Sequence, residues 1–231
     1  MWQGLAGGRH TIAGDPRRLV ADGYNRIAER YAQWTREEVV DETRPKYLSL
    51  LLDSLPPGAD VLDLGCGSGG PTTRQLADRF RVTGVDISER QIELAKASVP
   101  HASFVCGDMT RLALPSASFD AVASFYAFNH LPFGELPNLL ITISDWLRGG
   151  GLLVTALSRR FDTGTVEADW LGAPMYFSGY SPEESRDFVA AAGLSIVTLR
   201  PESIVEDEHP TEFRWLVARK PLSVITASRV P

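Results

Sequence analysis

The sequence predicts an α/β fold built on a parallel sheet that is doubly wound, with helices on both faces. Three observations lead there. Between residues 60 and 157, short apolar runs alternate strictly with longer segments of helical periodicity, and that rhythm makes right-handed βαβ crossovers. At the end of the first apolar run the chain reads Asp63-Leu64-Gly65-Cys66-Gly67-Ser68-Gly69-Gly70, a strand that turns on glycines into a helix. Glycine permits the tight turn and a close ligand approach, and the helix N-terminus offers free N–H groups. The next two strands end on acids, Asp86 and Asp108, where such sheets place their ligands.

Taken in order, residues 1–14 form a glycine- and arginine-rich stretch without the apolar centre of a signal peptide, expected to be a flexible arm of a cytoplasmic protein. A single domain is expected over 15–231. Asp15 to Trp34 forms an amphipathic helix that could break near Gly23, with Tyr24, Ile27, Tyr31 and Trp34 on one face. A second helix, Arg44 to Ser54, stops at Pro56-Pro57-Gly58. These two make a helical cap over 15–57.

The cofactor-binding core spans 58–158. Its strands are Asp60–Leu64, Val82–Asp86, Ala102–Cys106, Phe119–Ser124 and Leu152–Leu157, the last entered by a tight turn at Arg148–Gly151. Between them lie helices from Thr72 to near Arg79, from Glu89 to Ala97, and from Gly134 to Trp146. Ser88 caps the second of these, with Gln91 as its capping-box partner. Residues 159–180 carry Phe161, Trp170, Tyr176, Phe177 and Tyr180 without a clear period, which suggests an irregular aromatic lid. Over 181–231, Ser181-Pro182-Glu183-Glu184 starts a helix to Ala192, ended by Gly193, and strands follow near 194–200 and 213–219.

Composition excludes several roles. The formal net charge is −6 and the basic residues are scattered, so nucleic acid is not the expected partner. No apolar run reaches the roughly 18 residues of a membrane span. Cys66 and Cys106 have no metal-ligand spacing and are expected to be small buried side chains. No metal is expected.

The glycines alone leave two patterns open. Gly65, Gly67 and Gly70 satisfy G-x-G-x-x-G, whereas Gly65, Gly67 and Gly69 give G-x-G-x-G with Asp63 two residues ahead. Asp86, about twenty residues on, can accept from ribose hydroxyls under either pattern. Asp63 at the strand end, a second acid at Asp108 and the absence of a Tyr-x-x-x-Lys pair count against a nicotinamide enzyme.

With these motifs in order, the sequence resembles the class I S-adenosylmethionine-dependent methyltransferases of the small-molecule group. The resemblance rests on Val61 to Gly69, Gly84-Val85-Asp86-Ile87-Ser88, Gly107-Asp108-Met109, Phe119 to Val122 with His130-Leu131-Pro132, and Leu147 to Gly151. Tyr24-x-x-Ile27-Ala28-x-x-Tyr31 resembles the family's cap helix. It implies a Rossmann-like sheet of seven strands, mostly parallel with the last antiparallel, and S-adenosyl-L-methionine as cofactor. It also implies roles: Gly65, Gly67 and Gly69 against the methionine part, Asp63 and the Phe125 carbonyl toward its ammonium, and Asp86 on the ribose. Ile87 and Met109 would pack on the adenine, Asp108 would accept from its amino group, and Tyr24 and Tyr31 would close over the cofactor.

Methyl transfer to oxygen or nitrogen can require a base. His130, just past the fourth strand, is the candidate, set against a purely structural role. The acceptor is expected to be a small organic molecule held by Trp34, Tyr126, Trp170, Tyr176 and Tyr180, because Tyr and Trp make apolar pockets with polar tips. His10, His101 and His209 are read as surface residues. Phe125-Tyr126-Ala127-Phe128 lacks the Asn/Asp-Pro-Pro-Tyr of adenine-amino methyltransferases, and Ser158-Arg159-Arg160 lacks the acids of a metal-dependent catechol type. The alternatives are a cofactor-binding enzyme of the same fold that catalyses a cyclisation or elimination, and a nicotinamide oxidoreductase using Gly65, Gly67 and Gly70. Monomer and homodimer stay equally open.

Overall fold

The computed structural model describes residues 14–158 and 162–222. The expected arm, apart from Gly14, lies outside them, as do His10, Arg159, Arg160 and Phe161. Six helices and ten strands are described: α1 (Pro16–Glu37), β1 (Val39–Val40), α2 (Thr43–Ser54), β2 (Asp60–Leu64), α3 (Pro71–Ala77), β3 (Arg81–Asp86), α4 (Glu89–Ser98), β4 (Ser103–Cys106), β5 (Phe119–Ser124), α5 (Leu136–Trp146), β6 (Leu147–Ser158), β7 (Asp162–Trp170), β8 (Ala173–Gly179), α6 (Pro182–Ala191), β9 (Ser195–Glu206) and β10 (His209–Arg219). A single 3₁₀ turn, Phe128–His130, stands between β5 and α5.

The main sheet has the order β1-β9-β10-β6-β5-β2-β3-β4. Strands β2 to β6 are parallel, and β10 inserts antiparallel beside β6. From β2 the chain winds outward through β3 and β4, then returns to β5 on the other side of β2. That reversal opens a crevice at the C-terminal ends of β2 and β5. The sheet has eight strands rather than seven. The extra one, β1, pairs Val39 and Val40 with Glu206 and Val205 at the edge, and two residues between helices carry too little period to read as a strand.

Side chains alternate across the parallel strands and fill two cores. Leu62, Leu64, Val85 and Leu153 pack under α5 and α6, while Val61, Val82, Ala121 and Val154 pack under α2 and α3. Each such buried leucine or valine side chain contributes about 1.5–3 kcal/mol.

Four expectations are corrected. Of the stretch 159–180, the described part from 162 on is not irregular: β7 and β8 form an antiparallel hairpin, turning at Leu171 and Gly172, both at positive φ (55° and 100°). Thr165-Val166-Glu167-Ala168-Asp169-Trp170 in fact alternates polar and apolar at period two. Gly23 does not break α1; it lets the helix lie against β8, because a Cβ there would stand 2.8 Å from Met175 Cε and 3.0 Å from the Pro174 carbonyl oxygen. Residues 148–151 belong to β6 rather than to a turn before it. Cys66 is buried as expected, but Cys106 is exposed. No described helix is long and apolar enough to cross a membrane.

Candidate active site

At the crevice, a cleft of about 660 Å³ opens between the strand ends and α1. Its floor is the glycine turn. Gly65 and Cys66 each donate to the Val85 carbonyl (2.7 and 3.0 Å), which pins the turn on β3. Gly65 sits at φ +75°, and a Cβ there would stand 2.2 Å from the Ala127 Cβ, so no larger residue fits. The roof is one face of α1, where Arg17, Val20, Tyr24 and Tyr31 point inward at helical spacing.

Asp86 ends β3 under this roof. Its Oδ2 accepts from the Gly67 N–H and its Oδ1 from the Ser88 N–H, both at 2.9 Å. Burial pushes its carboxyl up to about 6 against these hydrogen bonds. Each oxygen keeps a second lone pair for a ligand donor.

Asp63, only 2% exposed, accepts from Thr73 Oγ1 at 2.7 Å. Burial raises it to about 6 as well, helped by the nearby Asp86 charge, while Thr73 and Arg44 act in the other direction. Asp63 lines a second hollow of about 270 Å³ with Arg44, Thr72 and Phe125, and Phe125 and Gly65 border both spaces. Arg44 is held by Asp41 Oδ2 (3.0 Å) and Thr72 Oγ1 (3.2 Å) and lies 4.8 Å from the Tyr126 ring centre. Tyr126 occupies the left-handed region (φ +67°) and donates to Asp41 Oδ2 at 2.8 Å. A non-glycine residue held there costs about 1–3 kcal/mol.

Asp108 faces α1. Its Oδ2 accepts from Arg17 Nε (2.8 Å), and its Oδ1 from the Thr110 N–H and Oγ1 (2.9 and 2.8 Å). Arg17 also pairs with Glu135, so one guanidinium ties the first turn of α1 to two loops of the sheet.

His130 lies beneath α1 in an aromatic cluster with Tyr24, Trp170 and Phe177, ring centres 4.8–6.2 Å away. Its Nδ1–H donates to the Tyr176 carbonyl at 2.8 Å, since a carbonyl only accepts. Nε2 therefore carries the lone pair, and the Tyr24 hydroxyl donates to it at 2.9 Å. Desolvation lowers His130 to about 4, so the ring is neutral at physiological pH, and burial raises the Tyr24 phenol well above 10.

Comparison with known proteins places this arrangement. A family model described as a methyltransferase domain matches residues 61–151. The chain is 37% identical over 109 residues to 2-methyl-6-phytyl-1,4-hydroquinone methyltransferase of Synechocystis, covering 41% of this chain and 34% of that protein. It is 28% identical over 176 residues to phosphoethanolamine N-methyltransferase 1 of Arabidopsis thaliana, covering 72% and 33%. Among solved structures, magnesium protoporphyrin IX methyltransferase of Synechocystis with bound S-adenosylmethionine superposes at TM-score 0.69 and 19% identity, covering 90% of this chain and 98% of that one. The cyclase SpnF does so at 0.69 and 18%, covering 91% and 98%. Over residues 61–151 the chain matches a methyltransferase domain, and it shares the fold of solved S-adenosylmethionine-dependent methyltransferases. It spans 34% to 56% of the length of the first curated relatives it matches.

Within this methyltransferase fold, Tyr24, Tyr31, Gly65, Gly67, Asp86, Ile87, Met109, Phe125, Tyr126 and His130 all line the one cleft. Gly69 lies beneath the turn, packed on Ala95 and Val99 of α4. Trp34 and Trp170 join Tyr31 in the aromatic cluster outside the lining, and Trp34 Nε1 donates to Asp207 Oδ1 at 2.7 Å. Tyr176 and Tyr180 are also outside the lining; their hydroxyls accept from the backbone N–H of Phe133 (3.0 Å) and Gly134 (2.5 Å), which fastens β8 to the loop before α5. His101 and His209 are exposed, as expected.

Arg17 and Gln91 of the cleft and Arg44 of the second hollow escaped the sequence reading. Arg17 and Arg44 had no local motif; the basic residue in each first helical turn of the cap was the available signal. Gln91 was read as half of a capping box. Its backbone N–H does donate to Ser88 Oγ at 3.1 Å, but its side chain turns into the cleft instead of back to the cap. The described residues hold no cluster of three or more His, Cys, Asp or Glu that could bind a metal.

Proposed function

We propose that the cleft binds S-adenosyl-L-methionine and that the protein transfers its methyl group to a small organic acceptor in the cytoplasm. The observation that carries this reading is the pairing of the Gly65 approach with Asp86. A backbone that excludes even a Cβ faces a carboxylate whose two oxygens are oriented by the Gly67 and Ser88 N–H groups.

Asp86 takes the ribose hydroxyls, and Ile87 and Met109 sandwich the adenine. Asp108 accepts from the adenine amino group on the Oδ2 lone pair that Arg17 leaves. Asp63 and the Phe125 carbonyl face the ammonium, Arg44 the carboxylate, and Gly65, Gly67 and Gly69 keep the backbone out of the way. The cofactor supplies an electrophilic methyl on a sulfonium, which an apolar, dry site favours transferring. The Tyr24 hydroxyl takes up the acceptor's proton as it passes its own to His130 Nε2, and Tyr176 holds the imidazole in that tautomer. Tyr31 and Tyr126 shape the apolar end for the acceptor, Trp34 and Trp170 back Tyr31, and Tyr176 and Tyr180 brace the hairpin behind it.

The relatives that are named methyltransferases of a hydroquinone, an amine and a porphyrin support a small-molecule acceptor. The likeness to a cyclase supports the alternative of a cofactor-binding enzyme without methyl transfer. Calorimetric titration with S-adenosylmethionine and S-adenosylhomocysteine tests the cofactor reading. Micromolar binding, lost in Asp86→Ala with the fold retained, is expected; no binding by the wild type would overturn it. Demethylation of bound cofactor in the presence of candidate acceptors separates transferase from cyclase.

A further inference from the structure

Asp41 stands between β1 and α2, and its carboxylate accepts five hydrogen bonds. Oδ1 takes the Thr43 N–H (3.1 Å), the Arg44 N–H (2.8 Å) and the Thr43 hydroxyl (2.9 Å), which caps the first turn of α2. Oδ2 takes Arg44 Nε (3.0 Å) and the Tyr126 hydroxyl (2.8 Å). One oxygen serves the helix; the other holds two side chains that wall the site. Arg44 lines the hollow beside Asp63, where its Nη1 also reaches Thr72 Oγ1 at 3.2 Å. Its guanidinium lies 4.8 Å from the Tyr126 ring centre, so Asp41, Thr72 and an aromatic face fix it together. Tyr126 is wedged edge-on against Phe213 and Trp215 (4.7 and 5.5 Å), with its hydroxyl ending on Asp41. The extra strand β1 explains how Asp41 comes to be there. Val39 and Val40 pair with Glu206 and Val205 of β9, which sets the next residue against the strand ends.

We propose that Asp41 is a positioning residue: without touching ligand, it pre-organises Arg44 for the amino-acid end of the cofactor. The inference rests on the cofactor reading above, in which Arg44 faces the cofactor carboxylate. An arginine that must be ordered when it grips a carboxylate loses rotamer freedom at that moment, and the loss weakens binding. Asp41 removes that freedom in the free protein. The residue type follows from the donors. Arg44 Nε and the Tyr126 hydroxyl converge on one oxygen while the other oxygen caps a helix, so every partner is a donor and the group between them must only accept. An ionised carboxylate does this; an amide would cap α2 equally well but turn its NH2 onto two donors. A ligand that carries the amino-acid end therefore depends on Asp41, and one that lacks it does not.

The test uses Asp41→Asn, which keeps an oxygen for the α2 cap and cuts the ties to Arg44 Nε and Tyr126, and Arg44→Met, which keeps the stem and loses the guanidinium. Calorimetric Kd is measured for S-adenosylhomocysteine and for 5′-methylthioadenosine, which has the same nucleoside and no amino-acid end. Asp41→Asn should weaken S-adenosylhomocysteine about tenfold, from one charge-assisted bond that fixes Arg44, and leave 5′-methylthioadenosine within about twofold of wild type. Added to Arg44→Met, Asp41→Asn should cost no further affinity, because it acts through Arg44. Equal weakening of both ligands, full additivity in the double variant, or an Asp41→Asn chain unfolded at the assay temperature would overturn the proposal in favour of a purely structural cap. Absence of wild-type binding to S-adenosylhomocysteine is seen before any variant is compared, and it would remove the cofactor reading and this inference together. Binding that Arg44→Met weakens and Asp41→Asn does not would leave the cofactor reading standing and overturn this inference alone.

Discussion

Replacing Asp63 with Asn tests whether the cleft holds a buried carboxylate at a cost to the fold. Asp63 is 2% exposed and accepts one hydrogen bond, from Thr73. Its carboxyl rises from 3.8 to about 6, chiefly through desolvation, with the Asp86 charge adding to it and Arg44 opposing. A rise of that size corresponds to about 3 kcal/mol. The sign follows from proton binding. With the folded value above the unfolded one, the folded chain holds more protons between about pH 4 and 6. Stability therefore falls as pH rises through that window, and the full cost stands above it. Asn keeps an oxygen for the Thr73 hydroxyl and carries no charge. Urea unfolding at pH 8 should find Asp63→Asn more stable than wild type by up to about 3 kcal/mol, and at pH 5 by roughly half of that. The same variant should bind S-adenosylmethionine more weakly, because the ammonium loses its counter-charge. A variant less stable than wild type by the same amount at both pH values would refute the reasoning.

Three further outcomes are expected. Tyr24→Phe, which removes the hydroxyl on His130 Nε2, should lower turnover by roughly 10²-fold while S-adenosylhomocysteine affinity stays near wild type, and unchanged turnover would dismiss the relay. Because His130 is held down to about 4, wild-type kcat plotted against pH should show no limb near 6.5; a limb there that vanishes in His130→Ala would contradict its neutral state. Arg17→Met keeps the aliphatic stem but cuts the ties to Asp108 and Glu135. Stopped-flow release of S-adenosylhomocysteine should quicken about five- to tenfold, from one or two partly exposed ion pairs, and an unaltered rate would show that α1 does not hold the cleft shut.

What the sequence made legible was whatever is local along the chain. The glycine turn, Asp86, Ile87 and Met109 lie within a few residues of strand ends whose apolar runs are unmistakable. The strand alternation then brought them to one crevice without any knowledge of contacts. Missed features depend on partners far apart. Arg17 meets Asp108 across 91 residues, and Tyr24 meets His130 across 106. No periodicity encodes such pairs. The aromatic residues of 159–180 misled for a related reason: Tyr176 and Tyr180 looked like pocket residues by type, but their hydroxyls answer orphan backbone donors in the loop before α5. Gln91 satisfied a capping pattern by spacing while its side chain faced the other way.

The unfavourable features of the fold gather at the cleft. Asp63 and Asp86 are carboxylates raised to about 6 by burial, Gln91 is an unpaired buried amide, and Tyr126 is a tyrosine at φ +67°. The carboxylates and the amide keep hydrogen-bonding capacity that a cationic, hydroxyl-bearing ligand would satisfy. On the proposed reading, binding relieves these costs together, so part of the intrinsic affinity is already stored in the empty fold. Ligand at a hundredfold excess over Kd should then stabilise the folded state by about 2.7 kcal/mol through mass action alone. The stored costs enter through Kd itself. Below pH 6 the carboxylates are protonated in the free protein and must lose protons to receive the ligand, so the affinity should fall with acidity as stability rises. Opposite pH trends for stability and for binding, in one protein over one window, are the signature expected of a fold that pays locally for its site.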